Sequence, residues 1–223
     1  MRICILFATQ LSPTTDRNYH IMSSEPSEPS LPSFIERDCI SKPLLNVQPS
    51  LVDKTYFGRM RSFIDNSVRN FLNETNIDNF HIVDIGLTGY SKSIQNESVV
   101  YETIDIDATN NPTYVCDITK NNTDVIHSDR FDITIITEVL EHTENPIAGL
   151  EECLRITKKG GYVVITTPLN FRIHGPLYDT FRMTEWFYKN YFNKRGINIV
   201  KMAALEDASR TLYPISYFIV VQK

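Results

Sequence analysis

The sequence predicts an α/β protein: a doubly wound, mostly parallel sheet with helices on both faces. Three observations carry that expectation. Short β-branched runs at residues 81–85, 99–106, 114–116, 133–137, 162–166, 197–201 and 217–221 alternate with polar or helical stretches, as strands do when each needs a crossover before the next. Between the fourth and fifth runs a helix is marked by Asn145 as N-cap, Pro146 at the first helical position, and Ile147, Leu150 and Leu154 along one side. Several runs end in carboxylates and glycines, at the edge where a doubly wound sheet binds its ligands.

In chain order, residues 1–50 are expected to be an N-terminal extension and linker. Arg2 and the apolar residues 3–8 resemble the start of a signal peptide, but the run is short and meets Gln10 and Pro13. Residues 23–33 read SSEPSEPSLPS, a flexible composition that cannot bury apolar area. Met22 stands directly before it, so the preceding residues are compatible with an upstream extension of the reading frame. The folded domain is expected over 51–223. Within it, apolar residues at 56, 57, 60, 63, 64, 68, 71 and 72 follow a 3.6-residue period and predict an amphipathic helix covering one face. Only about ten residues separate the first three strands, near the minimum for a parallel crossover, so short helices or plain loops are expected there. Lys158 and Lys159 are expected to complement the dipole at the end of the Asn145 helix, with Gly160 and Gly161 stopping it. Thr184 and Glu185 mark another helix start, and Trp186, Phe187, Tyr188, Tyr191 and Phe192 are expected to pack on the sheet or roof the pocket.

Composition narrows the classes of partner. With 223 residues, 42% hydrophobic and 22% charged, the chain can bury one sizeable core. The formal charge of −5, without a long Lys/Arg run, argues against nucleic acid held through counterion release. No run of about 18 apolar residues is present, so no membrane-spanning helix is expected. Cys4, Cys39, Cys116 and Cys153 are scattered, without CxxC spacing, which fits reduced thiols and a cytoplasmic setting. His and carboxylates do not recur at ligand spacings such as HExxH, and no metal site is expected.

The first strand runs into Asp84-Ile85-Gly86-Leu87-Thr88-Gly89-Tyr90, where glycines allow a tight turn and close approach to a ligand. About 20 residues further on, the second strand ends in Asp105-Ile106-Asp107, the spacing at which a carboxylate reaches ribose hydroxyls. A turn or cap role is the alternative for either aspartate. No Lys-Ser/Thr pair follows the glycines, so a nucleoside without a phosphate chain suits this turn better than a nucleotide in a P-loop.

From Asp84 to about Thr184 the chain resembles the class I S-adenosylmethionine-dependent methyltransferases. The stretch FDITIITEVLEH, ending at Glu141-His142, the Asn145-Pro146 helix, and KKGGYVVITTP, ending at Pro168, are similar to that family's fourth-strand and fifth-strand signatures. The resemblance implies a seven-stranded sheet with an antiparallel last strand, and S-adenosyl-L-methionine as cofactor. It assigns Asp84 and Gly86 to the turn under the methionine part, Asp105 with Ile106 to the ribose, Asp117 with Ile118 to the adenine, and Glu138 to the floor beneath the sulfonium. Carboxylates suit these tasks as acceptors for hydroxyls and as counter-charges for a sulfonium and an ammonium. The glycine turn departs from the family's G-x-G-x-G, with Thr88 and Tyr90 present and Gly89 displaced. Either the loop is shortened and Gly89 supplies the clearance, or cofactor binding is weakened or lost.

Residues 167–184 resemble a HGxPxDxFRxT run of methyltransferases, type 11 and related, from surface-glycan and antibiotic-sugar gene sets, with Pro176-Leu177 in a changed order. The resemblance implies a small-molecule acceptor, a sugar hydroxyl on a glycan or nucleotide-linked sugar. Methylating a hydroxyl calls for alignment and a base. His174 is the preferred base and His142 the second candidate; each could instead tie a turn together, and His174 could only hydrogen-bond the acceptor. Arg172 and Arg182 could clamp a phosphate or carboxylate of the acceptor, with Tyr178 and Asp179 beside them. Two other functions stay open: methylation of an amine, carboxylate or protein side chain, and an inactive methyltransferase-like scaffold. Four carboxylates at strand ends weigh against the scaffold, which would have no packing reason to keep them. A homodimer through apolar faces of a trimmed sheet is also compatible with the sequence.

Overall fold

The structure is a computed structural model, described here for residues 34–36, 38–39, 48–86, 89, 96–175 and 178–223. The expected flexible tail falls mostly outside them. The chain divides into compact units Met1–Asn46 and Val47–Lys223, and the second holds the whole sheet.

That sheet has seven strands: β1 (His81–Ile85), β2 (Val100–Asp105), β3 (Tyr114–Val115), β4 (Phe131–Thr137), β5 (Thr157–Pro168), β6 (Asn198–Glu206) and β7 (Pro214–Gln222). Their order is β3-β2-β1-β4-β5-β7-β6. Strands β1 to β5 run parallel to one another, while β7 runs antiparallel to both β5 and β6. The α/β expectation, with an antiparallel last strand, is met.

Among the described residues, three α-helices cover the faces. Helix α1 (Leu51–Glu74) starts in a capping box in which Ser50 and Asp53 satisfy each other's backbone N–H groups. It begins five residues before the apolar stripe because the cap, rather than the stripe, sets its start. Met60, Ile64, Val68 and Phe71 of this helix join Ile82, Ile133, Ile135, Val164 and Phe218 in one core layer. The opposite layer holds Val83, Ile85, Val163 and Ile165 from the alternate positions of the same strands, as the two-residue period requires. It is covered by α2 (Pro146–Ile156) and α3 (Glu185–Asn193), which contribute Leu150, Leu154, Tyr188 and Phe192. Fully burying each such side chain contributes roughly 1.5–3 kcal/mol.

The Asn145 cap is formed as expected, its side chain accepting from the Ala148 N–H at 3.1 Å. The end of that helix differs. Helix α2 stops at Ile156 and β5 starts at Thr157, so Lys158 serves in a strand and not as a dipole partner. Its Nζ donates to both carboxylate oxygens of Asp132 at 2.8 Å, and Asp132 also accepts the His81 N–H. The β4–β5 register shifts between Phe131 and Ile133, and a Cβ on Gly161 would lie 2.7 Å from the Asp132 carbonyl, so Gly161 serves this bulge and not a helix stop. Trp186 also departs from expectation: it is exposed, with Lys189 Nζ over its ring. Among the described residues no helix is long and apolar enough to cross a membrane.

Candidate active site

Because β3, β2, β1 and β4 are neighbours and parallel, their carboxyl ends form one edge, with the switch of strand order between β1 and β4. Asp84, Asp105, Asp117 and Glu138 all lie at this edge. Asp84 is buried in β1, and its Oδ2 accepts the Gly89 N–H at 3.3 Å. Thr88 lies outside the described residues. Gly86 has φ of +85°, and a Cβ there would meet Val139 Cγ2 at 2.5 Å. Gly86→Ala is therefore expected to cost on the order of 2 kcal/mol and lower Tm by about 5 °C; a melting curve checks this, and an unchanged midpoint would show that the turn can relax.

The two aspartates after β2 divide the work. Asp107 caps a short 3₁₀ turn (Ala108–Asn110), accepting from Thr109. Asp105 accepts the Asp107 N–H at 2.8 Å and Asn110 Nδ2 at 3.1 Å, which orients its carboxylate while leaving lone pairs for further donors. Ile106 is exposed. Asp117 Oδ1 holds the Thr119 N–H and hydroxyl, and Ile118 is buried beside Gly149.

Glu138 directly follows β4 in a left-handed conformation, φ 54°, and its Oε1 accepts from the Thr166 hydroxyl at 3.0 Å. Its Oε2 is buried without a hydrogen-bond partner among the described residues. Burial pushes this carboxyl up to about 7. Glu141, one turn on, is wholly buried, and neither of its carboxylate oxygens has a hydrogen-bond partner among the described residues. Burial and then the Glu138 charge hold it well above the usual carboxylate range. Two neighbouring carboxyls with unsatisfied oxygens suit a cation, because each buried acceptor otherwise carries its full desolvation cost.

The loop after β5 folds over this edge. The Thr180 and Phe181 N–H groups both donate to the Glu141 carbonyl, at 2.8 and 3.2 Å, stitching the loop to the 3₁₀ turn Leu140–His142. His142 and His174 thereby stack edge to face, ring centroids 4.9 Å apart. His142 Nδ1 lies 2.9 Å from the Tyr178 carbonyl; the Tyr178 side chain itself is 77% exposed. His174 Nδ1 lies 3.2 Å from Asp179 Oδ2, which also accepts the His174 N–H. Burial holds the His174 imidazole below its ordinary value, so it is neutral at pH 7. Against the cost of burial, hydrogen bonds and charge from Arg182 hold Asp179 below its usual range. Arg182 is thus joined to Asp179, and Arg172 reaches Asp53 of α1 at 3.3 Å; both guanidiniums, expected on the acceptor, have partners within the protein.

The edge therefore offers a row of carboxylates and, beside it, a neutral histidine backed by a carboxylate. Sequence reasoning assigned no role to Glu141 or Thr166, although Glu141 lies inside the quoted LEH motif.

The sequence model of a methyltransferase-domain family matches residues 58–210. No curated protein matches the chain. Solved structures with a similar fold include an S-adenosylmethionine-dependent methyltransferase from Mesorhizobium loti, 13% identical with TM-score 0.53, covering 71% of this chain and 96% of that one. Another, from Archaeoglobus fulgidus, is 15% identical with TM-score 0.54, covering 73% and 94%. A protein from Galdieria sulphuraria assigned as a sarcosine dimethylglycine methyltransferase is 13% identical with TM-score 0.56, covering 74% and 86%. At these identities the likeness concerns the fold.

Proposed function

We propose, from the premise that this chain belongs to the methyltransferase-domain family and is an S-adenosylmethionine-dependent methyltransferase, that it methylates a hydroxyl of a small polar acceptor, a free or nucleotide-linked sugar. The observation that carries the choice of a hydroxyl is His174 on Asp179. A carboxylate accepting Nδ1–H leaves Nε2 with its lone pair, the arrangement of a general base.

The cofactor fits the edge. Two observations support this: Glu138 Oε2 is a buried acceptor without a partner among the described residues, suited to a sulfonium, and Asp105 is held by two local donors, with lone pairs left for ribose hydroxyls. Asp84, Gly86, Thr88 and Gly89 would hold the methionine part, and Asp117 with Ile118 the adenine. When bound, S-adenosylmethionine supplies an electrophilic methyl group. The protein's own residues align the acceptor oxygen beside His174, exclude water there, and take the hydroxyl proton at His174 Nε2. Asp179 steadies the imidazolium that results, and Arg182 fixes Asp179. The exposed Tyr178 ring and, beyond their internal partners, Arg172 and Arg182 border the acceptor side. A cytoplasmic setting suits the free thiols of Cys116 and Cys153.

Calorimetric titration with S-adenosylmethionine and S-adenosylhomocysteine tests the premise. Micromolar binding is expected, weakened about tenfold or more in Asp105→Ala. Silence at millimolar ligand would instead point to a scaffold. Given binding, nucleotide sugars and free sugars are screened beside amines; turnover confined to amines would overturn the hydroxyl assignment.

A further inference from the structure

Glu141, His142 and His174 each bring one ligand atom within 4.8 Å of the others. Their spacing in the chain gave no hint of a metal site, because His174 arrives from a separate loop. Three observations show that this is more than a chance meeting of side chains. Glu141 is wholly buried, yet both its oxygens lack hydrogen-bond partners among the described residues, and its nearest cationic candidate, His142 Nε2, stands 3.7 Å away. A buried carboxyl left bare is costly unless a cation or a proton completes it.

Both imidazoles are also oriented as metal-bound histidines are. His142 turns Nδ1 to the Tyr178 carbonyl at 2.9 Å, and His174 turns Nδ1 to Asp179 at 3.2 Å. A backbone carbonyl and a carboxylate are the usual outer partners of ligating imidazoles, and they leave Nε2 unprotonated. Finally, Gly175 has φ of +94°, and a Cβ there would stand 2.9 Å from His142 Cε1. The His142 ring thus occupies a seat that only a glycine leaves open.

We infer that Glu141, His142 and His174 form a binding site for a divalent first-row transition metal. Two imidazoles and one carboxylate suit zinc, manganese, iron(II) or cobalt(II) better than magnesium or calcium, which favour all-oxygen sets. Three protein ligands leave coordination positions open, and a hydroxyl bound at one of them would ionise more readily. With a metal bound, His174 Nε2 would be a ligand and not the base, and a metal-bound hydroxyl would give up its proton to the buffer; His174 acts as the base in the metal-free protein. The site goes beyond the proposed function and does not depend on which acceptor is used.

The test uses the full chain, stripped with chelator and titrated separately with zinc, manganese and cobalt(II) ions by calorimetry, with cobalt absorption recorded in parallel. About one ion per chain is expected, with d–d bands of a four- or five-coordinate centre, and affinity about tenfold or more weaker in Glu141→Gln and His174→Ala. Asp179→Asn should weaken binding as well, through the outer partner. Melting curves establish that each variant folds, and a variant that fails to fold is replaced by His174→Gln. No binding, or binding unchanged in every folded variant, would overturn the site and leave Glu141 a buried neutral acid. S-adenosylmethionine titrated into the stripped protein, beside Asp105→Ala, separates that result from failure of the methyltransferase reading, since Asp105 ends β2 whereas Glu141 and His142 follow β4.

Discussion

Replacing His174 by alanine is expected to lower kcat toward a hydroxyl acceptor by about 10²-fold or more, with S-adenosylmethionine affinity within about twofold of the parent. The split follows from the layout. In the proposed site the carboxylates at the ends of β1, β2 and β3 hold the cofactor, whereas His174 sits on the loop after β5, tied to Asp179 and packed on His142. Asp179 is a positioning residue, and its test is a pH profile. Burial lowers the His174 pKa, the Asp179 charge raises it, and the charges of His142 and Arg182 lower it further. Since the neutral imidazole is the active form, kcat/KM should rise with pH through a pKa below the ordinary 6.5 and then level. Asp179→Asn removes the group that raises it, so the limb should move to lower pH while kcat falls. A role confined to bracing the loop would lower the melting temperature without moving the limb. Unchanged turnover in His174→Ala would remove it from the chemistry.

What the sequence disclosed and what it withheld divide along physical lines. The strand His81–Ile85 matches its β-branched run end to end, because alternation is a property of neighbouring residues. The Asn145 cap was equally legible, since one side chain and one N–H three residues on decide it. The strand-end carboxylates could be placed together because parallel topology alone puts the ends of β1 to β4 on one edge. The boundary at Lys158 to Gly161 was misjudged, for lysines and glycines after a helix look the same whether they end it or open a bulged strand; the Asp132 partner that decides lies on another strand. Glu141 with His142 and His174 was invisible for a stronger reason. Their meeting depends on the Thr180 and Phe181 N–H groups reaching the Glu141 carbonyl, and backbone bonds between loops leave no residue pattern. The pairing of Arg172 with Asp53 across the domain is hidden in the same way.

Affinity for S-adenosylmethionine is expected to rise about tenfold between pH 6 and pH 8, and Glu138→Gln should abolish that rise while weakening binding about tenfold or more at pH 8. The Glu138 carboxyl, pushed by burial up to about 7, is mostly protonated at the lower pH and mostly ionised at the higher. Only the ionised form offers charge to a sulfonium, so binding below about pH 7 must expel a proton. Calorimetry at pH 6 in two buffers of different ionisation enthalpy measures that release directly. S-adenosylhomocysteine is the control: it carries the same amino acid and nucleoside but no sulfonium, so its affinity should lack this component of the slope. Stability should move the other way. A carboxyl whose folded pKa lies above its unfolded value favours folding while protonated, and that contribution is lost as pH rises from about 4.5 through about 7. Glu138→Gln should therefore melt higher than the parent at pH 8 without ligand, even as it binds the cofactor more weakly. A parent affinity that is flat across this range, with Glu138→Gln binding equally well, would show that Glu138 does not face the sulfonium.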